Sequence, residues 1–512
     1  MTADKREISQ RDVARWIVAA APGGNLVSDS RQVKEGDVFF AYPGETADGR
    51  RFIASAVANG AAAVVYEERD FAWDESIRVP HLAVPDLKPQ AGLMAHAVLG
   101  QPDADMFTVG VTGTNGKTSC SVWLGQAFAK LGEKAAVIGT LGVAMFQAGS
   151  EPEFDVTGYT TPDAVLLASR LSAVREAKAR VLAIEASSIG LVEGRLAGLH
   201  FDVAIFTNLT RDHLDYHGDM ASYEAAKVKL FEWPGLQTAV VNLDDAAGQR
   251  LVAHLRATRP ELAITGYTLN DEAAQPAIAG VTILRASNKR SRPAGTEFQL
   301  DTEQGSQLVK TRLVGHFNIS NALAVLGALL ARGFALKAAL EAIEALVPAP
   351  GRMQQVGGQD APLVVIDYAH TPDALEKTLQ ALRQVALERG GQLWCVFGCG
   401  GDRDPGKRPQ MGAIAQNADQ AIVTSDNPRS EEPGAIIAQI VAGMTAGRYQ
   451  AIEDRATAIL AAVRQANKQD VILLAGKGHE PYQEIKGKKL PFSDADHATL
   501  ALSARLTMMR TH

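Results

Sequence analysis

Seven short apolar runs in this chain each end in a cluster of glycine, charged and amide residues, and that repeated switch restricts the fold more than any other feature. Ile184 is followed by Glu185-Ala186-Ser187-Ser188, Phe206 leads into Asn208-Leu209-Thr210-Arg211-Asp212-His213, and Val241 into Asn242-Leu243-Asp244-Asp245. Further along, Asp367-Tyr368-Ala369-His370, Gly398–Arg403, Asp426-Asn427-Pro428-Arg429 and Gly476-Lys477-Gly478-His479-Glu480 hold the same place. Helical patterns separate the runs. Such alternation predicts parallel sheets covered by helices. Ligands of open α/β sheets bind beyond the carboxyl ends of the strands, so the clusters predict one large active site served by two sheets.

A chain of 512 residues is too long for one compact core. Gly100-Gln101-Pro102-Asp103 and Pro348-Ala349-Pro350-Gly351 read as boundaries, the second because two prolines within three residues cannot continue a helix. They divide the chain into an N-terminal α/β domain over 1–103, a central P-loop parallel-sheet domain over 104–348, and a C-terminal Rossmann-like α/β domain over 349–512.

A formal net charge of −7 argues against a general binder of nucleic acid or anionic membrane. The basic runs Lys289-Arg290-Ser291-Arg292 and Lys486-Gly487-Lys488-Lys489 read as solvated turns. Cys120, Cys395 and Cys399 are too few and wrongly spaced for a disulfide framework or a zinc site, which fits a reducing compartment. The charged start of the chain lacks the apolar stretch of a signal peptide. Asn321–Val347, its most membrane-like segment, is interrupted by Arg332, Gly333 and Lys337 and reads as two buried helices. A cytoplasmic protein without membrane insertion is expected.

The chemistry is most legible at Val109–Ser119. Gly113-Thr114-Asn115-Gly116-Lys117-Thr118-Ser119 follows a strand and opens a helix, so backbone N–H groups can wrap a polyphosphate at the positive end of the helix. Lys117 would reach the outer phosphates and the Thr118 hydroxyl would bind Mg²⁺. Val111 stands where the strict pattern has glycine. Glu185, directly after an apolar strand, is placed as a metal carboxylate, with a helix cap or surface acid as the alternative. His213, among Asp212, Asp215 and His217, is a second ligand candidate or part of a solvated acidic turn.

Taken in order, GTNGKTS, Glu185-Ala186-Ser187-Ser188, NLTRDHLDYHGDMASYEAAK, GHFNISNALA, PGRM and DYAHTPDAL resemble the Mur ligase family over almost the whole chain. The opening Asp29-Ser30-Arg31, Gly36-Asp37-Val38-Phe39 and Asp48-Gly49-Arg50-Arg51, with the closing GCGGDRDPGKRP, DNPRSEEP and GKGHE, resemble its diaminopimelate-adding branch.

The resemblance implies an ADP-forming ligase that adds meso-diaminopimelate to a UDP-linked muramoyl dipeptide through an acyl phosphate, using ATP and Mg²⁺, acting as a monomer. It implies that Lys117 holds the ATP phosphates, that Glu185 and His213 bind Mg²⁺, and that Lys227 is carbamylated and binds a second ion. On the residues alone, Lys227 is one lysine on an amphipathic helix. Asn318, Arg352 and Asp367 match nucleotide-contacting positions. Ser28, Ser30, Glu45, Thr46, Ala47, Thr160, Thr161, Ser187, Glu193 and Arg195 match positions for the UDP substrate, and Asp426, Asn427, Pro428 and Arg429 match the diaminopimelate-type signature, with Arg403 placed at a neighbouring strand end as a second cation and Glu480 and the Gly476 carbonyl placed to receive an ammonium. Ile189, Glu193 and Tyr159 depart from the family pattern. The lysine-adding version, a folylpolyglutamate synthase-like ligase and a nucleotide-binding protein without chemistry are the alternatives.

Overall fold

The computed structural model describes residues 9–44, 47–270, 279–292, 295–358 and 360–510. The chain divides into two compact units. One runs to Gly266 and takes in Ala279–Val281 and Gly327–Ala339; the other holds Thr282–Leu326 and the chain from Leu340 onward.

The first unit carries two sheets. β1 (Leu26–Val27), β2 (Val38–Ala41), β3 (Ala63–Glu67) and β4 (His81–Val84) form a parallel four-stranded sheet in that order. Val13 and Ile17 of the helix Gln10–Ala20 cover one face over Val38, Phe40, Ala63 and Val65. The second sheet is built on β5 (Phe107–Thr112), β6 (Ala135–Gly139), β7 (Gly142–Phe146), β8 (Val181–Glu185), β9 (Val203–Phe206) and β10 (Thr238–Asn242), in the order β10-β9-β5-β8-β6-β7. All pair in parallel except β7. β8 is buried at every residue, the signature of a sheet covered on both faces. β11 (Ala263–Thr268) follows at the edge of the unit.

The second unit holds the antiparallel strands β12 (Val281–Arg292), β13 (Gly295–Thr302) and β14 (Gly305–Thr311). It also holds a six-stranded sheet of β15 (Gln354–Gly357), β16 (Leu363–Asp367), β17 (Leu393–Phe397), β18 (Gln420–Val423), β19 (Gln450–Ala451) and β20 (Val471–Ala475), and the hairpin β21 (Tyr482–Ile485) with β22 (Lys488–Pro491). The order β15-β16-β20-β17-β18-β19 is parallel apart from β15. Val365, Leu473 and Cys395 face one core, while Val364, Ile472 and Val396 face the other.

One expectation needs correcting. Lys289–Arg292 is not a turn; it completes β12, where a register shift between Ser287 and Arg290 accommodates it and the Lys289 ammonium donates to the Leu269 carbonyl. Of the second run, Lys486-Gly487 makes the turn between β21 and β22, while Lys488-Lys489 open β22. Asn321–Val347 contains parts of two helices, His316–Ala331 and Leu336–Glu344, and no helix among the described residues is long and apolar enough to cross a membrane. The three cysteines are free and buried.

Candidate active site

In the first unit the ends of β5, β8 and β9 meet, with Val111 level with Glu185 and Thr112 level with Phe206. The loop after β5 needs glycine twice. Gly113 has φ +147°, and a Cβ there would collide with Thr207 Oγ1; Gly116, at φ +90°, starts the helix Lys117–Lys130. The segment after β9 then ties the loop down. Thr207 Oγ1 donates to Asn115 O at 2.6 Å, Asn208 Oδ1 accepts from Asn115 N at 2.9 Å, and Thr210 N donates to Thr114 Oγ1 at 3.0 Å. Lys117 Nζ bends over the loop to Gly113 O and Thr114 O at 2.8 and 2.9 Å, while Thr118 and Ser119 are buried in the first turn.

Glu185 is neither a helix cap nor a surface acid. It is 1% exposed, and its carboxylate accepts from Thr140 N at 2.9 Å and Thr140 Oγ1 at 3.0 Å. Thr140 Oγ1 lies 3.1 Å from Thr160 Oγ1. Thr161 Oγ1 donates to Glu185 O at 2.8 Å and lies 2.9 Å from Ser187 Oγ, and Arg195 Nη1 reaches Thr161 O at 3.2 Å. Four of the residues expected to meet the UDP substrate, Thr160, Thr161, Ser187 and Arg195, thus form one network around the end of β8. Ser28 donates to Asp163 Oδ1 at 2.9 Å, while buried Ser30 uses its carbonyl to accept from Asn59. Glu193 pairs with the Lys88 ammonium and accepts from the Tyr216 hydroxyl at 2.7 Å. Ala47 is exposed, and Glu45 and Thr46 lie outside the described residues.

Lys227 sits in the last turn of the helix Met220–Val228, which Asp219 caps. It is 2% exposed, with Nζ 4.2 Å from the centroid of the Tyr223 ring. Burial first, and the charge of Lys117 second, push its amine well below the ordinary lysine range, against the pull of Asp212. Burial and the charge of Lys117 likewise lower His213, and Asp212 opposes them. The amine is therefore available as a neutral nucleophile and the imidazole as a neutral ligand. Among the described residues no three His, Cys, Asp or Glu side chains converge on one point. A buried carboxylate, an imidazole and the Thr118 hydroxyl nevertheless suit Mg²⁺, which takes few protein ligands and completes its shell with phosphate oxygens and water.

The second unit gathers the rest. Asp367, at the end of β16, accepts from Met353 N and Ala369 N at 2.9 Å each; burial raises its pKa and Arg352 opposes that. The Arg352 guanidinium lies 4.5 Å from the centroid of the Tyr368 ring, and the His479 ring is 5.4 Å beyond. Burial, with the charges of Arg352 and Lys477, lowers His479 to about 3. Asn318 is buried and donates to Val314 O at 2.8 Å.

Beyond β18, Asp426 and Asn427 are buried, and Pro428 leads to Arg429 at φ +52°. Arg429 Nη1 donates to Gly401 O at 2.7 Å, and its Nε lies 3.4 Å from Glu484 Oε2. A Cβ on Gly400 would stand 2.8 Å from Arg429 Nη1 and 3.7 Å from Arg403 Cγ, and one on Gly476 would stand 2.5 Å from Asp426 Oδ2. Asn427 Nδ2 donates to Glu480 Oε2 at 2.8 Å. The residues expected around diaminopimelate are therefore neighbours. Thr140, Asp163, Lys88 and Glu484 were missed by sequence reading, because each reaches its partner across a long separation in the chain, and Lys477 was read only as a member of its strand-end cluster.

A tied glycine loop at the end of β5, a buried carboxylate at the end of the adjacent β8 and a buried lysine define a P-loop α/β protein. The Mur ligase middle domain matches residues 111–329, the Mur ligase glutamate ligase domain matches 351–478, and the Mur ligase family catalytic domain matches 25–97. The chain is 62% identical over 96% of both lengths to a UDP-N-acetylmuramoyl-L-alanyl-D-glutamate–2,6-diaminopimelate ligase of Janthinobacterium sp.. It is 51% identical to the ligase of the same name from Ralstonia nicotianae, over 98% of each. A solved structure of a ligase of that name superposes with a TM-score of 0.65 at 37% identity, covering 94% of this chain and 95% of the other. This chain belongs to the Mur ligase family.

Proposed function

We infer that this chain is an ATP-dependent, ADP-forming ligase that joins meso-diaminopimelate to the D-glutamate carboxylate of UDP-N-acetylmuramoyl-L-alanyl-D-glutamate, in cytoplasmic synthesis of peptidoglycan precursors. The observation that carries this reading is the end-to-end 62% identity to a ligase of that name. Two features of the chain agree with it. A tied phosphate loop adjoins the network of Thr160, Thr161, Ser187 and Arg195, and the second unit sets Arg403 and Arg429 near Asp426.

In the reaction, the substrate carboxylate attacks the γ-phosphorus of ATP and ADP leaves. The amine then attacks the acyl phosphate, phosphate departs, and the amine gives up a proton as the amide forms. Bringing an anionic carboxylate against a polyphosphate is electrostatically unfavourable. Lys117 and the backbone N–H groups of 113–118 would hold the phosphates, and bound Mg²⁺ would supply charge neutralisation at Glu185, His213, Thr118 and carbamylated Lys227. Arg352, Asn318 and Asp367 would hold the nucleotide. The carboxylate of the far end of diaminopimelate would pair with Arg429, assisted by Arg403, and its ammonium with Asp426, Glu480 and the Gly476 carbonyl.

Release of ADP with ATP, the UDP-muramoyl dipeptide and a panel of amino acids tests the whole reading. Turnover that requires meso-diaminopimelate is expected. Preference for L-lysine would overturn the specificity, and release without dipeptide or amine would overturn the ligase.

A further inference from the structure

Under the amino-acid half-site lies a buried cation to which no role is yet attached. Lys477 follows β20 and has no exposed surface. Its Nζ donates to Asn427 Oδ1 and to Glu480 Oε2, at 3.0 Å each. Asn427 Nδ2 donates to the same Glu480 oxygen at 2.8 Å, and Asn427 Oδ1 also accepts from Glu484 N at 3.0 Å. Among the described residues no hydrogen bond reaches Glu480 Oε1. One carboxylate oxygen is thus held by two donors, and the other is left for a ligand.

An ammonium taken out of water is costly unless it is paired, so this one is matched to its surroundings. With the buried Arg455–Asp494 pair cancelling itself and Asp402 exposed to solvent, the half-site sets Arg403, Arg429 and Lys477 against Asp426, Glu480 and Glu484. A ligand end carrying both an ammonium and a carboxylate keeps that balance. A bare ammonium adds a charge that nothing offsets, which is how a site rejects a near-match.

We propose that Lys477 is a positioning and specificity-determining residue. By holding Glu480 Oε2 and offsetting its charge, it makes the half-site accept an ammonium only when a carboxylate arrives with it. The proposal rests on the reading that diaminopimelate binds here. Lys477 aims Glu480 and touches no reacting atom. Its loss removes a charge-assisted hydrogen bond on which the zwitterion depends, and it leaves a negative excess that favours a bare amine.

The test is ADP release with saturating ATP and UDP-muramoyl dipeptide, varying meso-diaminopimelate or L-lysine, for wild type and Lys477→Met. The KM for diaminopimelate should rise about tenfold or more, with the KM values for ATP and dipeptide unchanged. Use of L-lysine should improve, a gain that mere loss of structure would not produce. If Lys477→Met does not fold by thermal melting, Lys477→Gln, which keeps a donor without the charge, carries the same test. A ratio of diaminopimelate to lysine efficiency that stays at the wild-type value, or lysine use that falls in step, overturns the role of Lys477 alone. Wild type that makes no use of diaminopimelate overturns the function itself, and this proposal with it.

Discussion

With 2% of its surface exposed and Lys117 as an electrostatic neighbour, Lys227 keeps its amine neutral far more readily than a surface lysine, and only a neutral amine adds to CO₂. Carbamylation converts it to an anion suited to a hard cation. Lys227→Ala should therefore abolish turnover while ATP still binds, and depleting bicarbonate should slow the wild type; an alanine variant with full activity would remove the assignment. Gly113→Ala forces a side chain into Thr207 Oγ1 at a backbone angle that favours glycine. Nucleotide affinity measured by calorimetry should fall at least tenfold, a loss of about 1.4 kcal/mol. Arg429 carries the choice of amino acid. Losing a charge-assisted pair with the far carboxylate costs on the order of 2–5 kcal/mol, so Arg429→Ala should lower kcat/KM for diaminopimelate about 30-fold or more. The residue types at these positions were readable from motif and spacing. The partners that give them their chemistry were not, since Thr140 meets Glu185 across 45 residues and Lys477 meets Asn427 across 50.

Short elements present these side chains, and their ends matter more than their middles. The helix that carries Lys227 is nine residues long and begins where Asp219 Oδ1 accepts from Ser222 N at 2.7 Å. Removing such a cap costs about 1 kcal/mol. Asp219→Ala should lower the thermal midpoint slightly and weaken incorporation of labelled CO₂ at Lys227; unchanged labelling would show that the helix is held by its packing alone. In the second unit, the hairpin of β21 and β22 supports the Asp426–Arg429 loop. Arg429 N donates to Glu484 O at 2.9 Å, Lys486 N to Arg429 O at 2.7 Å, and Gln483 Nε2 to Asp426 O at 2.8 Å. Parallel strands buried on both faces read as continuous apolar runs, which is why the runs of the C-terminal sheet were visible within a residue or so. β12, β13 and β14 were not visible. They pair antiparallel, and β13 alternates polar with apolar residues through Glu297-Phe298-Gln299-Leu300-Asp301, so no apolar run marks it.

At the scale of the whole molecule, unfolding should report a charge network beside the start of the central sheet. Asp103 is 2% exposed, accepts from His200 N at 2.8 Å, and lies 2.7 Å from His200 Nδ1 and 3.1 Å from His96 Nδ1. A hydrogen bond from His200 and the adjacent His96 ring hold Asp103 well below the usual carboxylate range despite its burial, and Asp103, then Asp202, raise His200 to about 10. A raised histidine contributes stability that is complete below its ordinary value of 6.5 and declines as pH climbs through about 10. A lowered carboxylate contributes stability that is complete above 3.8 and is lost as pH falls further. Asp103→Asn should therefore lower the thermal midpoint most between about pH 4 and 6.5, with the gap from wild type narrowing towards pH 10 and below pH 4. A gap that does not vary with pH would remove the ion pair from the account.

The sequence alone determined the kind of sheets, the phosphate loop and the order of the motifs, because each of these is written locally: an apolar run, a glycine where the backbone turns, a polar cluster where a strand ends. The tertiary structure alone decided which acid is buried, which lysine is shut away from water and which carboxylate is already paired. Glu185 and Lys227 are taken out of water by the fold, and Glu480 is held by Asn427, 53 residues away. Desolvation and charge pairing depend on distance in space, and a linear order of residues does not contain that distance.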